Sequence, residues 1–355
     1  MDNLSQMLML GSAGGEKEYF LAAAKAGNPY AKVYSQDEDT FTELSFPSDT
    51  PRIPAGISWS PSGEHLAIAS ENSPYINIYK RDENSFTKLS NPSTLPAGAP
   101  TGLGQSVAFS STGTYLAVAH ATSPYITIYK RSGDTFTKLS NPSSLPANTG
   151  TGPTFSSDDT YLAVTVKNAG VGNPAIIVYK RSGDTFTKLA DLPSGLFNDI
   201  GNGLCTCWST DATYLAVGGQ STGKKIVIYK RSGDTFTLLT APSQPADDVY
   251  GVSFSPDTTY LAVGNAGSPA FNIYKRSGDT FTKLSSPLDT NPGGGSYSPC
   301  FSSDGLYLAY GAVSGPTLSV YERSGDSFTK ITTIANFGDS VYATAFYPPA
   351  VLGSR

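Results

Sequence analysis

Histidine and methionine are nearly absent from this chain of 355 residues, at 2 and 3 copies, and cysteine stands at 3. Two histidines leave little for imidazole chemistry, and a zinc site wants four convergent ligands. An odd number of cysteines without framework spacing means that the fold does not lean on disulfides. Positive charge is also scarce: 24 Lys and Arg against 29 Asp and Glu leave a net charge of -5, which offers no general attraction to nucleic acid or anionic lipid. No apolar run approaches the roughly 20 residues that span a bilayer. The opening "MDNLSQMLML" places an acid where a signal peptide carries positive charge, so neither membrane insertion nor secretion by that route is expected.

In abundance are 36 Gly, 25 Pro and 21 Tyr, the profile of many short strands joined by turns. The segment "YKRSGDTF" occurs letter for letter at Tyr129, Tyr179, Tyr229 and Tyr274, with "YERSGDSF" at Tyr321. Adding Tyr34 and Tyr79 gives seven anchors, separated by 45, 50, 50, 50, 45 and 47 residues. A period of this size filled with strand-like segments predicts propeller blades, not a helical solenoid. Each full unit reads as four strands, as in "SVAFS", "YLAV", "ITIY" and "FTKL" between Ser106 and Leu139.

Comparing the units column by column identifies the core. An aromatic stands in the first strand at Trp59, Phe109, Phe155, Trp208, Phe254, Phe301 and Phe346. The residue before it is always small: Ser58, Ala108, Thr154, Cys207, Ser253, Cys300 and Ala345. Innermost strands crowding an axis need that pairing of large and small. A leucine followed by alanine marks the second strand at Leu66, Leu116, Leu162, Leu215, Leu261 and Leu308, and proline precedes the third-strand tyrosine by five residues in six units. The first unit lacks an innermost strand, and "VYATAFYPPA" from Val341 matches that pattern with no later strands of its own. The expected fold is therefore all-β: a seven-bladed β-propeller of four-stranded blades over 18–351, its ring closed by the C-terminal strand in the first blade. Residues 1–17 read as an apolar docking arm and 352–355 as a tail.

"SPDTTYLAVG" from Ser255 and "SSDGLYLAYG" from Ser302 resemble WD-repeat and related seven-bladed propellers. The resemblance implies the architecture, over about Glu18 to Val351, and says little of function. It departs from the family where Tyr-Lys, or Tyr-Glu at Glu322, replaces Trp-Asp and no Gly-His pair precedes the strands, so the hydrogen-bonded network of WD repeats is not expected. The near-verbatim blades and the leader "MLMLGSAGG" also resemble propeller proteins of tailed bacteriophages.

Chemistry-bearing motifs are few. His65 shares a column with Tyr115, Tyr161 and Tyr214, which predicts a structural ring, and His120 ends a strand. Cys205 and Cys207 face one side of a strand and read as free packing thiols. "NPGGGSY" from Asn291 precedes no helix and is no phosphate cradle. Asp158 and Asp159 fit a tight turn, and Asp247 with Asp248 a solvated loop, so no metal site, cofactor or catalytic residue is expected.

The loops after the fourth strands vary while the other turns do not, which places Phe197, Asp199, Asp247, Asp248, Tyr250, Asp339 and Tyr342 on one variable face suited to partner recognition. Its only nearby bases in the sequence reading are Lys167, Lys224 and Lys225, and the repeated Lys-Arg pairs read as solubilising treatment of the outer edge. In the leader, Leu4, Met7 and Leu8 can share one face of a short helix, and with Leu10 they form the docking arm. Together these readings predict a non-enzymatic interaction scaffold in a bacteriophage virion, assembled in the host cytoplasm. Its expected partners are other virion proteins, a homo-oligomer around a symmetry axis, or a host surface glycan or receptor. A lectin-like glycan or receptor binder is the alternative, and a propeller hydrolase such as a lactonase or glycosidase the weaker one.

Overall fold

Alternating β-branched and aromatic residues become strands wherever the repeat predicts them. The structure, a computed structural model, describes residues 19–37, 40–100, 105–170, 173–193, 202–288, 294–315, 317–331 and 339–347. These form seven antiparallel sheets of four strands. Blade 2 shows the plan: Pro54–Trp59 innermost, then His65–Ser70, Ile76–Asp82 and Ser85–Lys88 outermost. Blades 3 to 7 repeat it over 107–138, 150–188, 202–238, 249–283 and 300–331. Blade 1 joins the C-terminal Val341–Tyr347 to Tyr19–Lys25, Ala31–Asp37 and Thr40–Glu43, with Leu21 opposite Phe346. Each innermost strand packs on the next, and the ring closes from Val341–Tyr347 to Pro54–Trp59. The expected fold and closure are both present.

The core lies between blades. Ile76 and Ile78 of blade 2 meet Phe109, Leu116, Val118 and Tyr129 of blade 3, and every other pair of neighbours forms a similar apolar layer. The second-strand leucines are fully buried, each contributing roughly 1.5–3 kcal/mol by removal from water.

The tyrosine of the repeated "YKRSGDTF" is an anchor: Tyr129 is wholly buried and donates to the Thr94 carbonyl at 2.9 Å, as Tyr179 does to Ser144 and Tyr274 to Ser243. The charged half corrects an expectation, because instead of merely treating the outer edge it latches neighbouring blades. Lys130 Nζ donates to Asp184 of the following blade at 2.8 Å, and Tyr115 Oη donates to the other oxygen of that carboxylate at 2.8 Å. Arg181, beside the same turn, lies 5.1 Å from the Tyr115 ring centre. Equivalent Lys–Asp pairs join Lys80 to Asp134, Lys180 to Asp234, Lys230 to Asp279 and Lys275 to Asp326. His65 takes the tyrosine's place in one latch, with Nε2 2.9 Å from Asp134. The lysines are about half exposed, so each ion pair is weak on its own. The tyrosine bond lies deeper and carries more of the latch. Thus an interblade network stands where none was foreseen.

Asp159 likewise does more than shape its turn. Its carboxylate, 2% exposed, accepts from the Ser111 and Thr112 backbone N–H groups at 2.6 and 3.0 Å and so pins blade 4 to blade 3.

Candidate functional site at the channel mouth

All seven small residues that precede the innermost aromatics line the axis. They enclose a chamber of about 550 Å³ that extends to the tight turns between first and second strands, including Ser111, Ser157 and Thr210. Toward the other face Gln105 reaches across from blade 3, its Nε2 donating to the Val252 carbonyl of blade 6 at 3.2 Å. Gln105 thus borders both the chamber and the mouth that opens among the variable loops.

The mouth owes its residues to an irregularity. In blade 6, Val249 pairs with Asn265 and Gly251 with Gly264, leaving Tyr250 as the extra residue of a β-bulge. In blade 1, Ala24 pairs with Ala343 and Lys25 with Val341, which leaves Tyr342 in the same position. A bulge breaks strict alternation. Residues one and four places before the innermost aromatic can then both be half exposed along the axis, as Ser253 and Tyr250 are. Tyr297 of blade 7 holds the matching place. The three rings form an arc, with Tyr250 and Tyr297 centred 4.9 Å apart edge to face, and Tyr297 and Tyr342 at 6.0 Å. Gly251 allows the strands so close: a Cβ there would stand 2.0 Å from the Tyr297 carbonyl oxygen.

A polar chain borders the arc. Asn202 donates to Gln220 Oε1 at 3.0 Å, which orients the amide so that Gln220 Nε2 faces Asp248 at 3.2 Å and Tyr250 Oη at 3.5 Å. Asp248 is half-buried, and Asp247 caps its backbone N–H at 2.7 Å. Burial, followed by the nearby Asp248 carboxylate, raises the Tyr250 pKa above its ordinary value, so the phenol remains a hydrogen-bond donor. Farther round, buried Lys25 pairs with Asp339 at 2.7 Å. His120, fully buried at a strand end, has Nε2 3.0 Å from Thr127 Oγ1, and burial lowers its pKa to about 4. It is therefore a neutral structural ring at neutral pH.

Of the residues expected on the variable face, Asp248, Tyr250 and Tyr342 belong to this mouth, Asp247 supports it, and Asp339 is tied to Lys25. Phe197 and Asp199 lie outside the described residues, as do the docking arm with Leu4, Met7, Leu8 and Leu10 and the tail. Sequence reasoning missed Tyr297, Gln220 and Lys25. Only Tyr297 had a signal available, since it shares a column with Tyr250 and Tyr342. Cys205 is buried, whereas Cys207 and Cys300 are half-buried in the channel wall, and all three are free thiols. Among the described residues no group of three or more His, Cys, Asp or Glu is placed to hold a metal ion, and no helix is long and apolar enough to cross a membrane.

No family model and no curated protein sequence matches this chain. Solved structures do. A putative 6-phosphogluconolactonase from Bacteroides fragilis superposes with a TM-score of 0.73 at 14% identity, covering 94% of this chain and 99% of its own. A putative 6-phosphogluconolactonase from Bacteroides uniformis gives 0.72 at 14%, covering 93% and 99%. The periplasmic gluconolactonase of Pseudomonas aeruginosa gives 0.68 at 16%, covering 94% and 100%. Identity this low carries the fold and not the chemistry. These comparisons lend no support to a bacteriophage origin or to WD-repeat membership. They also overturn the expectation of a non-enzymatic virion scaffold, since three of the propellers of like fold are named as 6-phosphogluconolactonases or a gluconolactonase.

Proposed function

We propose that this protein hydrolyses a sugar lactone or a closely related cyclic ester of a polyhydroxylated acid, at the mouth of the axial channel. The observation that carries the reading is the meeting of the Tyr250, Tyr297 and Tyr342 arc with the Asn202, Gln220 and Asp248 chain. Tyrosine rings offer flat amphipathic surfaces to a sugar ring and hydroxyls to its substituents. A lactone is an activated ester, so hydrolysis needs chiefly a placed water and a proton acceptor. Asp248 takes the proton from a water adding to the lactone carbonyl, while Gln220 holds the carboxylate in place. Tyr250 Oη donates to the oxygen on which charge develops. The ring C–O bond then breaks, the alkoxide takes the proton that Asp248 accepted from the water, and the open hydroxy acid leaves. The names of the structural neighbours agree with this class of substrate.

The test is hydrolysis of glucono-1,5-lactone, measured above its spontaneous rate. Removal of a general base lowers kcat by roughly 10²–10⁴-fold, and that loss is expected for Asp248→Asn with melting temperature unchanged. Tyr297→Ala should chiefly raise KM. A rate equal to background with both glucono-1,5-lactone and its 6-phosphate, or one indifferent to Asp248→Asn, overturns the proposal.

A further inference from the structure

The chamber ringed by the seven small residues has its own character. Its volume, about 550 Å³, falls within the roughly 300–1,000 Å³ of small-molecule sites. No charged side chain among the described residues lines it. Its wall joins apolar surface from the innermost aromatics to a ring of small polar groups. The hydroxyls of Thr154 and Ser253 line this ring and bond to no protein group among the described residues. Ser58 Oγ accepts from the Phe109 N–H at 3.1 Å and keeps its own proton to donate. Two thiols, Cys207 and Cys300, complete the ring.

We propose that this chamber is a second binding site, for an uncharged, hydroxyl-bearing molecule of monosaccharide size. An anion or cation entering it would lose its water without meeting a countercharge, at a cost of several kcal/mol. A neutral polyol instead exchanges water for the ring hydroxyls and lays its C–H faces against the aromatic wall. The chamber is lined by the small-residue ring and the tight turns at one end of the channel, whereas the mouth lies among the variable loops at the other, so the two sites use different residues. Binding in the chamber does not require the chemistry proposed for the mouth.

Cys207 and Cys300 serve as reporters. Burial pushes both thiols up to about 12, so labelling of the intact protein with methyl methanethiosulfonate is best followed by mass spectrometry at mildly alkaline pH. Cys207 and Cys300 should label while fully buried Cys205 does not. D-Glucose or myo-inositol should slow labelling of both at least 3-fold, and gluconate should not. Ala108→Leu, which fills the chamber from its wall, should abolish the protection, whereas Asp248→Asn should leave it intact. No labelling of Cys207 and Cys300 would show the chamber closed and overturn the proposal. So would labelling unaffected by either neutral probe in the wild type, protection by gluconate as strong as by glucose, protection surviving in a folded Ala108→Leu protein, or protection lost with Asp248→Asn, which would place the probe at the mouth.

Discussion

The two ends of the axial channel are built from the same seven strands and differ in how strictly the blades repeat. At the chamber end every blade contributes a small residue and then an aromatic, because seven innermost strands converge there and one oversized side chain would force its neighbours apart. At the mouth the corresponding column reads Ala55, Gln105, Thr151, Leu204, Tyr250, Tyr297 and Tyr342. In four of the blades variation is permitted because Ala55, Leu204, Tyr250 and Tyr342 are bulged residues that sit beside the ladder instead of within it. Scaffold and recognition thus share a strand while being separated along its length.

That contrast can be strained by experiment. Acid should strike the mouth side hardest, where His120 is buried neutral. Its ordinary value of 6.5 is lowered to about 4 by burial. The unfolded chain therefore takes up a proton as pH falls through 6.5, whereas the folded protein does so only near 4. His120's contribution is complete above pH 6.5 and is lost as pH falls to 4, by about 3 kcal/mol in all. Urea unfolding at pH 7.5 and 4.5 should show a smaller pH dependence in His120→Gln than in the wild type.

Next in size is Gly251→Ala. The new methyl would collide with the Tyr297 backbone, costing about 2 kcal/mol as overpacking and separating the tyrosine rings. Denaturant midpoints should fall and Tyr fluorescence should change. An unaltered stability would mean that the close approach of blades 6 and 7 is readily relaxed.

The smallest effect belongs to the repeated latch. Tyr161 Oη donates to Asp234 at 2.5 Å and to the Gly233 carbonyl at 3.0 Å. Its loss in Tyr161→Phe should lower stability by about 1 kcal/mol, read as a modest drop in melting temperature. The same substitution at Tyr115 should match it, because the latches are copies. Unequal losses would show that the blades are less equivalent than their letters.

Legibility follows the same division. The blade number, strand order, closing strand and the column of small residues on the innermost strands could all be read from the sequence, because propeller packing repeats its demands at every turn of the ring. Asp248, Tyr250 and Tyr342 were legible as residues where the copies disagree. Their joint site was not. Tyr297 was hidden within a glycine-rich segment read as a loop, and Gln220 and Lys25 look like ordinary strand ends until the neighbouring blade is placed beside them. The latch was misread for a related reason: Lys130 and Asp184 belong to different copies of the segment, and within either copy each resembles a solvated charge.

The sequence by itself determined the seven blades, their four strands and the ring closed by both termini, since periodic burial and alternation are local properties of the chain. Only the tertiary structure decided which charges became latches, which tyrosines met and which residues line the channel. Those outcomes depend on bulges that change strand parity, and on contacts between blades about fifty residues apart, which no local pattern specifies.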